Sequence, residues 1–309
     1  MRITTKNLQR TYLKGLNQNI KKLSDSNERL NTGRRFSRLS QNVVDGSKAL
    51  RVRELMQRNL DYISNAQQVQ LELSSQEDKI MQMQNLVQDA KELMIRGYSQ
   101  THNEDDRKII SGQLDQIKEA MVQIINSKSV DKYTFATNHN EPPIQVNGSD
   151  ITFYGQNVNH NDRSDFANGA FNVDIGFLMN INQSAIDVLG YGVDASGIPN
   201  NILVLLNDIS TSLTNNDTTH QAQYTAKIDT IATQMLMKVS DIGMKVNYLD
   251  TTLSRFGDEN LALTTKQNNL EAIDFEEEVI FNKMYEMAWQ ISLQLGSKVL
   301  PLSIFDFMR

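Results

Sequence analysis

Apolar residues recur at alternating intervals of three and four along two long stretches of the chain. The upstream row has thirteen positions between Val52 and Met94, eleven of them apolar when Tyr and Ala are counted. An unbroken repeat of this length predicts a coiled-coil helix. Its polar members, Asn59 and Gln76, either set the register or are simply tolerated. A downstream row predicts a second long helix and consists of Ile228, Ala232, Met235, Val239, Ile242, Val246, Leu249, Leu253 and Phe256.

Shorter rows of the same kind lie near both chain ends. Gly33 is placed to end the first terminal helix, and Asp274 with Glu277 forms a capping-box pattern that begins the last one. We expect these terminal helices to pair antiparallel and the inner helices to form a bundle. The residues predicted to form the assembly interface of the terminal helices are Leu13, Leu16, Ile20, Leu23 and Leu30 with Phe281, Met284, Ile291 and Leu295.

Proline and glycine separate the two helical arms. The only prolines are Pro142, Pro143, Pro199 and Pro301, and seven of the fifteen glycines lie between 148 and 197. The segments "KYTFAT", "PPIQV", "DITFYG" and "AFNVDIGF" between the arms are rich in aromatic and β-branched residues, which is typical of strands. A third helix is predicted after an Asn103 cap and the acidic "EDD".

The predicted fold is therefore mainly α: a long antiparallel helical bundle or coiled coil built from both chain ends, with a small β-rich insertion. We expect a terminal coiled-coil domain from 1–43 and 272–309. A helical bundle domain is expected from 44–134 and 200–271. The remaining segment, 135–199, is expected to be a β-rich insertion that faces outward.

The last ten residues are unusually apolar for a chain terminus. Exposed large apolar side chains promote aggregation, so this tail needs a partner in its own chain or in another. The tail residues concerned are Leu300, Leu302, Ile304, Phe305, Phe307 and Met308.

Composition and charge narrow the class of protein. The net charge of −6 hides an asymmetry, because residues 1–60 carry fourteen Lys/Arg against four Asp/Glu, whereas 271–309 carry three against seven. Opposite charges favour attraction between the ends.

No segment is apolar enough to span a membrane, and the N-terminus lacks the apolar core of a cleavable signal peptide. By the usual rule the chain would stay in the cytosol, unless it is exported by a route that needs no such signal.

The sequence contains few of the residue patterns that are typical of catalytic, metal-binding or phosphate-binding sites. It has no cysteine, four scattered histidines and no Gly-rich phosphate loop, so we expect no enzyme activity, metal or cofactor. The basic run Arg34, Arg35 and Arg38 has no aromatic platform or recognition motif beside it, and we interpret it as a connector facing acidic neighbours; neither nucleic acid nor membrane is an expected partner. Two classes remain: a structural subunit that assembles with copies of itself, or a helical binding module. The apolar ends favour assembly.

The chain ends resemble the flagellin family. The start, "MRITTKNLQRTYLKGLNQNIKKLSDSNERLNTGRRFSRLS", is similar to the family's "RI-S/T" opening, heptad helix and "L-S-G-x-R-I" motif, although "SQNVVDG" lacks the paired aspartates and proline that follow. "VDKYTFATNHNEPPI" and the closing "DFEEEVIFNKMYEMAWQISLQLGSKVLPLSIFDFMR" resemble the hook–filament junction subgroup, the hook-associated protein 3 family. The matching residues at the start are Arg2, Ile3, Leu30, Gly33, Arg35 and Phe36.

This resemblance implies an extracellular structural subunit that joins the flagellar hook to the filament. It implies export through the flagellar type III pathway without a cleavable signal, and terminal helices that fold on assembly. The implied partners are copies of the chain, the hook-side junction protein (hook-associated protein 1), flagellin, and a dedicated export chaperone that holds the tail. The alternatives are flagellin itself, the subunit of the filament, and a soluble helical adaptor.

Overall fold

The fold is that of a computed structural model, which describes residues 2–99, 103–129, 132–136, 141–148, 150–159, 170–174, 177–180 and 183–299. It divides into two compact units: unit 1, Met1–Leu60 with Asp258–Arg309, and unit 2, Asp61–Gly257. The helices are α1 (Arg2–Thr32), α2 (Val43–Gly97), α3 (Glu104–Ile125), α4 (Ala185–Leu189), α5 (Ile202–Thr214), α6 (Gln221–Glu271) and α7 (Phe275–Val299). The strands are β1 (Lys128–Ser129), β2 (Lys132–Tyr133), β3 (Ile144–Asn147), β4 (Asp150–Phe153), β5 (Gln156–Asn157), β6 (Ala170–Asp174) and β7 (Phe177–Asn180).

The mainly α fold with long antiparallel helices and a small β insertion is confirmed. In unit 2, every position of the upstream row from Ala66 to Met94 is buried, including the polar Gln76. On α6, alternate members of the downstream row, such as Met235 and Ile242, are fully buried. The three-and-four spacing therefore identified the side of each helix that faces the core of unit 2. Near the N-terminal end of the α2 row, Leu55, which belongs to unit 1, is not buried like the other members and is 40% exposed.

Polar contacts fix the antiparallel register of α2 and α6 within unit 2. The amide of Gln70 donates to Asp250 at 2.7 Å, and Lys91 pairs with Asp229. These two contacts are twenty-one residues apart on both helices, which is three heptads. Equal spacing on both helices means that the heptad repeats of α2 and α6 stay in step along this length.

Helix α3 begins as the sequence predicts, at a reciprocal capping box between Asn103 and Asp106. Its partner α5 was not predicted as a separate element, because it begins with the continuous apolar run 202–206, which periodicity alone cannot assign to a helix or a strand. This run lies in the core, where Leu203, Leu205 and Leu206 are fully buried.

The insertion is attached to the same core as the helices. Strands β3, β4 and β5 form an antiparallel sheet, while β1–β2 and β6–β7 are separate antiparallel pairs. Ile144 and Phe153 from this sheet belong to the hydrophobic cluster that contains the helical rows. The side chain of Asn126, at the end of α3, donates to the Ile144 carbonyl at 2.7 Å and accepts from its N–H at 3.0 Å. The insertion therefore contributes to the core of unit 2. The three-domain division stays a prediction.

Gly190 is held where no side chain fits. Its φ of 85° and ψ of 165° are nearly restricted to glycine, and a Cβ would lie 2.2 Å from the backbone oxygen of Asn200. Asn201, which caps α5, donates to the Gly190 carbonyl at 2.8 Å and so ties this position to the helix.

We expect Gly190→Ala to lower the free energy of unfolding of unit 2 by at least about 2 kcal/mol, because the backbone at Asn200 must move. Gly197→Ala is the matched control, since Gly197 also has a positive φ (78°) but open space at the Cβ position. It should lose only the strain of the left-handed backbone, about 1 kcal/mol. Urea unfolding followed by circular dichroism measures both. Equal losses in the two variants would contradict the steric argument.

Candidate assembly interface

Helices α1 and α7 pair antiparallel in unit 1, and polar side chains lie at the centre of the contact. Ser26 of α1 is fully buried and its hydroxyl donates to the carboxylate of Glu278 at 2.6 Å. The guanidinium of Arg29, one helical turn further, binds the same oxygen at 2.8 Å. The Asn282 amide donates to Ser26 at 3.2 Å and to Asn27 at 2.8 Å. We call Ser26, Arg29, Glu278 and Asn282 the Glu278 cluster.

A second group of contacts joins the helices further from the α6–α7 junction. The Tyr12 hydroxyl donates to the backbone carbonyl of Ser292 at 2.9 Å, and Asn19 donates to the Ser292 hydroxyl at 2.8 Å. Gly296 makes room for the tyrosine, because a Cβ there would lie 2.2 Å from the Tyr12 oxygen. Small and polar residues thus allow α1 and α7 to approach closely.

The residues of α7 that face α1 follow a heptad spacing of their own. Sequence reasoning missed them because the search for apolar rows passes over Ser, Asn, Glu and Gly. Their spacing of three and four was the one available signal. Buried or half-buried residues of α7 with this spacing are Glu278, Asn282, Tyr285, Trp289, Ser292 and Gly296, and Glu286 and Ala288 beside them are also half-buried.

The structure separates the nine predicted interface residues into a half-buried group of three and an exposed group of six. Leu16, Leu23 and Leu30 of α1 are half-buried. The others are exposed in the single chain: 48% for Leu13, 44% for Ile20, 38% for Phe281, 46% for Met284, 56% for Ile291 and 50% for Leu295. Pairing of the terminal helices through these exposed apolar residues is therefore not what the structure shows. Their role in contacts with other chains stays a prediction.

Two further apolar side chains extend the exposed row on α7. Ile280 is 69% exposed and Met287 is 56% exposed. Together with Met284, Ile291 and Leu295 they recur at intervals of three and four, so they share one side of the helix. We call these five residues the α7 apolar face. The predicted tail residues, Leu300, Leu302, Ile304, Phe305, Phe307 and Met308, lie outside the described residues.

A buried carboxylate also marks the place where α6 ends. Glu271 is 4% exposed, and its carboxylate binds the guanidinium of Arg53 at 2.7 Å, with Arg34 at 3.9 Å. Nearby, the Arg35 N–H donates to the Glu271 carbonyl at 2.7 Å and the Ile273 N–H donates to the Gly33 carbonyl at 3.2 Å. These bonds tie the connector after α1 to the α6–α7 junction. The basic connector thus faces an acidic neighbour, as expected.

Both helix ends at this junction follow the sequence signals. Gly33 has φ 68° and its N–H donates to the carbonyl of Arg29, which ends α1. Asp274 accepts from the N–H groups of Glu276 at 3.0 Å and Glu277 at 3.2 Å, which caps α7. The predicted boundaries of the terminal helices at this end are therefore confirmed.

Conventional chemical sites are not found in the part of the chain that the structure describes. There, no three His, Cys, Asp or Glu side chains are grouped so that they could hold a metal ion. No described helix is long and apolar enough to cross a membrane. Of the four histidines, His220 is exposed and contacts Gln223 at 2.8 Å, and the other three lie outside the described ranges.

Residues 3–137 match the family model of the bacterial flagellin N-terminal helical region. The chain carries a flagellin N-terminal region. The resemblance predicted from the opening motif is thereby confirmed, and α1, α2 and α3 belong to this region. Comparison with curated proteins finds no match.

Solved structures with the same fold come from flagellar proteins. A protein of Vibrio parahaemolyticus described as flagellar hook-associated has a TM-score of 0.65 at 17% identity, over 75% of this chain and 100% of that one. Flagellar hook-associated protein 3 of Legionella pneumophila gives 0.58 at 13% identity, over 70% and 98%. The FlgL protein of Bacillus cereus gives 0.54 at 16% identity, over 71% and 99%. At these identities the likeness establishes a shared fold.

The ionisation of Glu278 is set by its surroundings. Burial alone would raise the pKa of this carboxyl, but hydrogen bonds from Arg29 and Ser26 and the charge of Arg29 together lower the pKa below its ordinary value of 4.5. The pKa of Arg29 is raised, chiefly by its hydrogen bond to Glu278, with Tyr285 and Asp25 nearby also favouring the charged form. Both groups are therefore charged at neutral pH.

A lowered carboxyl pKa stabilises the folded pair above the ordinary pKa and loses that contribution as pH falls through the lowered value. We therefore expect α1 and α7 to loosen below about pH 4.5. Trp289, the single tryptophan, is half-buried on α7, so a change in its fluorescence reports loosening of this helix. Glu278→Gln has no carboxylate to protonate, so its fluorescence should lack this acid transition. If Glu278→Gln shows the same acid transition, the transition arises from titratable groups other than Glu278.

Proposed function

We propose that the chain is a structural, non-enzymatic subunit of the bacterial flagellum that joins the hook to the filament. The flagellin N-terminal region and the fold shared with hook-associated proteins support this proposal. The single observation that carries it is the distribution of side chains on the terminal helices. In this pair a carboxylate and a hydroxyl are buried and three leucines of α1 are half-buried, whereas the α7 apolar face remains in solvent.

A self-contained helix pair buries its apolar rows, whereas α7 keeps one apolar row exposed. Each large apolar side chain contributes about 1.5–3 kcal/mol when it is buried, and the five residues of the α7 apolar face are between 46% and 69% exposed. A row of this size on one helix indicates a surface that is covered by another protein. The occupant that we propose is a second copy of this chain.

Charge favours a neighbouring copy as that occupant. Residues 1–60 carry ten more basic than acidic side chains, and residues 271–309 carry four more acidic than basic ones. Within one chain only part of this charge is paired, through Arg29–Glu278, Arg34–Glu271 and Arg53–Glu271. Exposed charge of opposite sign on α1 and α7 would therefore attract the terminal helices of adjacent copies.

The finer parts of the proposal follow from the resemblance. The terminal helices fold fully on assembly, which is consistent with the marginal stability of isolated helices in water. The chain is exported through the flagellar type III pathway and acts outside the cell, with its tail first held by a dedicated chaperone. Hook-associated protein 1 lies on the hook side of it and flagellin on the filament side.

We expect Ile291→Asp to abolish incorporation and swimming, because a carboxylate in an apolar interface is costly. The single chain should fold normally, since Ile291 is already 56% exposed. Gln290→Asp, at the adjacent exposed position of α7, is the matched control and should swim normally. Motility, electron microscopy of filaments and circular dichroism of the purified chains are the measurements. Normal filaments with Ile291→Asp would remove the α7 apolar face from the interface.

Flagellin itself is the second candidate, favoured by the match of residues 3–137 to the flagellin N-terminal region. A filament subunit adds repeatedly to a polymer of itself, whereas a junction subunit forms an assembly of limited size. We expect the purified chain to form no long filaments, either when salt is added or when short precipitated aggregates of the same chain are added as seeds. Electron microscopy and light scattering are the measurements. Long filaments made of this chain alone would favour the flagellin assignment.

A further inference from the structure

An exposed row of apolar and basic side chains lies at the start of α2, in unit 1. Its members recur at intervals of four and three, so they share one side of the helix. Val43 and Leu50 lie beside the row and are also exposed. Large apolar side chains grouped in this way indicate a surface for another molecule, whereas single ones are normal. We call the following five exposed residues the α2 basic row: Val44, Lys48, Arg51, Leu55 and Arg58.

The other side of the same helical segment makes the contacts within unit 1. Ala49 and Val52 are buried, and the guanidinium of Arg53 binds the buried carboxylate of Glu271, at the end of α6, at 2.7 Å. These contacts hold the start of α2 in place by that side. The α2 basic row is therefore left uncovered by the described part of its own chain.

The charge on this surface favours an acidic partner. Lys48 and Arg58 each pair with an acidic residue of α2 itself, at 3.5 and 2.6 Å. Such pairs on a helix surface contribute little stability, so they do not prevent either cation from binding another carboxylate. The connector before α2 adds the exposed Arg35 and Arg38. A surface that combines basic and apolar groups is complementary to one that combines acidic and apolar groups.

The α7 apolar face has this complementary character. Glu276 and Glu277 are exposed in the first turn of α7, four and three residues before Ile280. They therefore extend the α7 apolar face with negative charge. Acidic residues in a first turn also stabilise the helix dipole, so their presence alone identifies no partner. The match in length and order between the two rows is the stronger indication.

The two rows fit each other in one direction. Val44 to Arg58 and Glu277 to Ile291 both extend over two heptads, about 21 Å of helix. In a parallel alignment Glu277 would face Val44, and both ends of the contact would set a charge against an apolar side chain. In an antiparallel alignment the intervals of three and four coincide and the acidic end meets a basic end. The antiparallel pairs are Arg58–Glu277, Leu55–Ile280, Arg51–Met284, Lys48–Met287 and Val44–Ile291.

The two pairs in the middle of this alignment set basic residues against methionines. Lysine and arginine have long apolar stems whose charged ends can stay in water, so Arg51 and Lys48 can cover the opposing side chains. Methionine is flexible and adapts to an irregular neighbour. The antiparallel alignment therefore leaves each charge either paired or in contact with solvent.

We propose that the α2 basic row of one copy binds the α7 apolar face of a second copy in this antiparallel alignment, with Arg58 against Glu277. The inference rests on the proposed function in one respect, namely that a second copy covers the α7 apolar face. Within one chain both rows are exposed, so the contact is between copies. It joins unlike surfaces and is therefore heterologous, which leaves each copy with a second binding surface.

A heterologous contact either closes into a ring or gives an open row with two different ends. One end of an open row keeps a free α2 basic row, and the other keeps a free α7 apolar face. Unlike ends suit a subunit that lies between two different structures, as the function proposed above requires.

Two other surfaces are rivals of the α2 basic row. On α1 of a neighbouring copy, Leu13 and Ile20 share one exposed side, but the exposed Asn17 lies between them. That side offers two large apolar side chains where the start of α2 offers four. Two α7 faces could also meet each other, but an antiparallel contact of that kind would set Glu277 opposite Ile291 at both ends.

Single cysteines test the pairing, because the chain contains none of its own. Purified full-length Leu55→Cys carrying an affinity tag is mixed with Ile280→Cys in oxidised glutathione, and the mixed disulfide dimers are measured after tag capture. A disulfide requires Cα atoms within about 7 Å. We expect this dimer to form at least about tenfold faster than with Gln57→Cys in place of Leu55→Cys. Gln57 is exposed on another side of the same turn of α2 and is the matched control.

Further cysteine variants measure the rival contacts. Ile280→Cys alone reports a contact between two α7 faces. Leu13→Cys with Ile280→Cys reports a parallel contact with α1 of a neighbour, and Ile20→Cys with Ile291→Cys reports an antiparallel one. We expect all three to form disulfide dimers no faster than the Gln57→Cys control.

Charge reversal tests the pair Arg58–Glu277. Arg58→Glu in the Leu55→Cys chain, or Glu277→Arg in the Ile280→Cys chain, should slow formation of the mixed dimer about fivefold. The two reversals together should restore the rate, because opposite charges face each other again. Lys108→Glu in the Leu55→Cys chain makes the same change in net charge at an exposed position of α3 and should leave the rate unchanged. Circular dichroism checks that the helices of each variant remain formed.

The inference is overturned if Leu55→Cys and Ile280→Cys form dimers no faster than the Gln57→Cys control, or if a rival pair is faster. Reversals that are not restored in combination would overturn the alignment of Arg58 with Glu277. The proposed function fails in a different experiment, since normal filaments with Ile291→Asp would contradict it whatever these rates are. Slow dimer formation together with loss of filaments in Ile291→Asp would show that the assembly surface is correct and its partner surface is not α2.

Discussion

The pairing of α1 with α7 depends on a carboxylate that is buried and still charged. A buried ion pair is a poor source of stability, since desolvation offsets much of the attraction between the charges. It is, however, sensitive to geometry: the Ser26 hydroxyl and the Arg29 guanidinium reach Glu278 from one side of α1 only. Directional bonds therefore contribute to joining the terminal helices, beside the half-buried leucines of α1. The α7 apolar face is not covered by this pairing and remains exposed.

The inner helices use the same heptad period in the ordinary way. Between Ala66 and Met94 the α2 row is buried, and α6 contributes the matching residues. Large side chains such as Leu73, Ile80 and Met83 fill that core, so unit 2 has a stable interior of its own. The α1–α7 contact instead includes Gly296, Ser26 and Ser292, and Leu16, Leu23 and Leu30 of α1 are only half-buried. Apolar side chains of the terminal helices are therefore less completely buried than those of unit 2, so contacts with other chains would bury additional apolar area.

The sequence was sufficient to predict the parts of the fold that rest on apolar periodicity and on helix-end chemistry. The long rows, the Asn103 and Asp274 caps and the glycine that ends α1 required only local patterns. Helix α5 was missed because its first turns are a short continuous apolar run, which fits a buried strand as well as a buried helix. The Glu278 cluster was missed for a different reason: no local pattern shows that a glutamate on α7 and a serine 252 residues away are partners.

The terminal helices pair antiparallel as predicted, but the choice of residues for their contact followed from an assumption about where apolar residues are buried. Apolar rows were assigned to the partner helix in the same chain, which is correct when a chain folds to bury its own surface. In this chain the buried side of α7 carries Glu278, Asn282 and Ser292, and the more apolar side is exposed. Two kinds of contact are thus separated on one helix. Polar bonds select the partner within the chain, and apolar area remains for a partner outside it. Under the proposed function such a separation would suit terminal helices that fold fully on assembly, because the polar bonds define the pair within the chain while a neighbouring copy covers the apolar face.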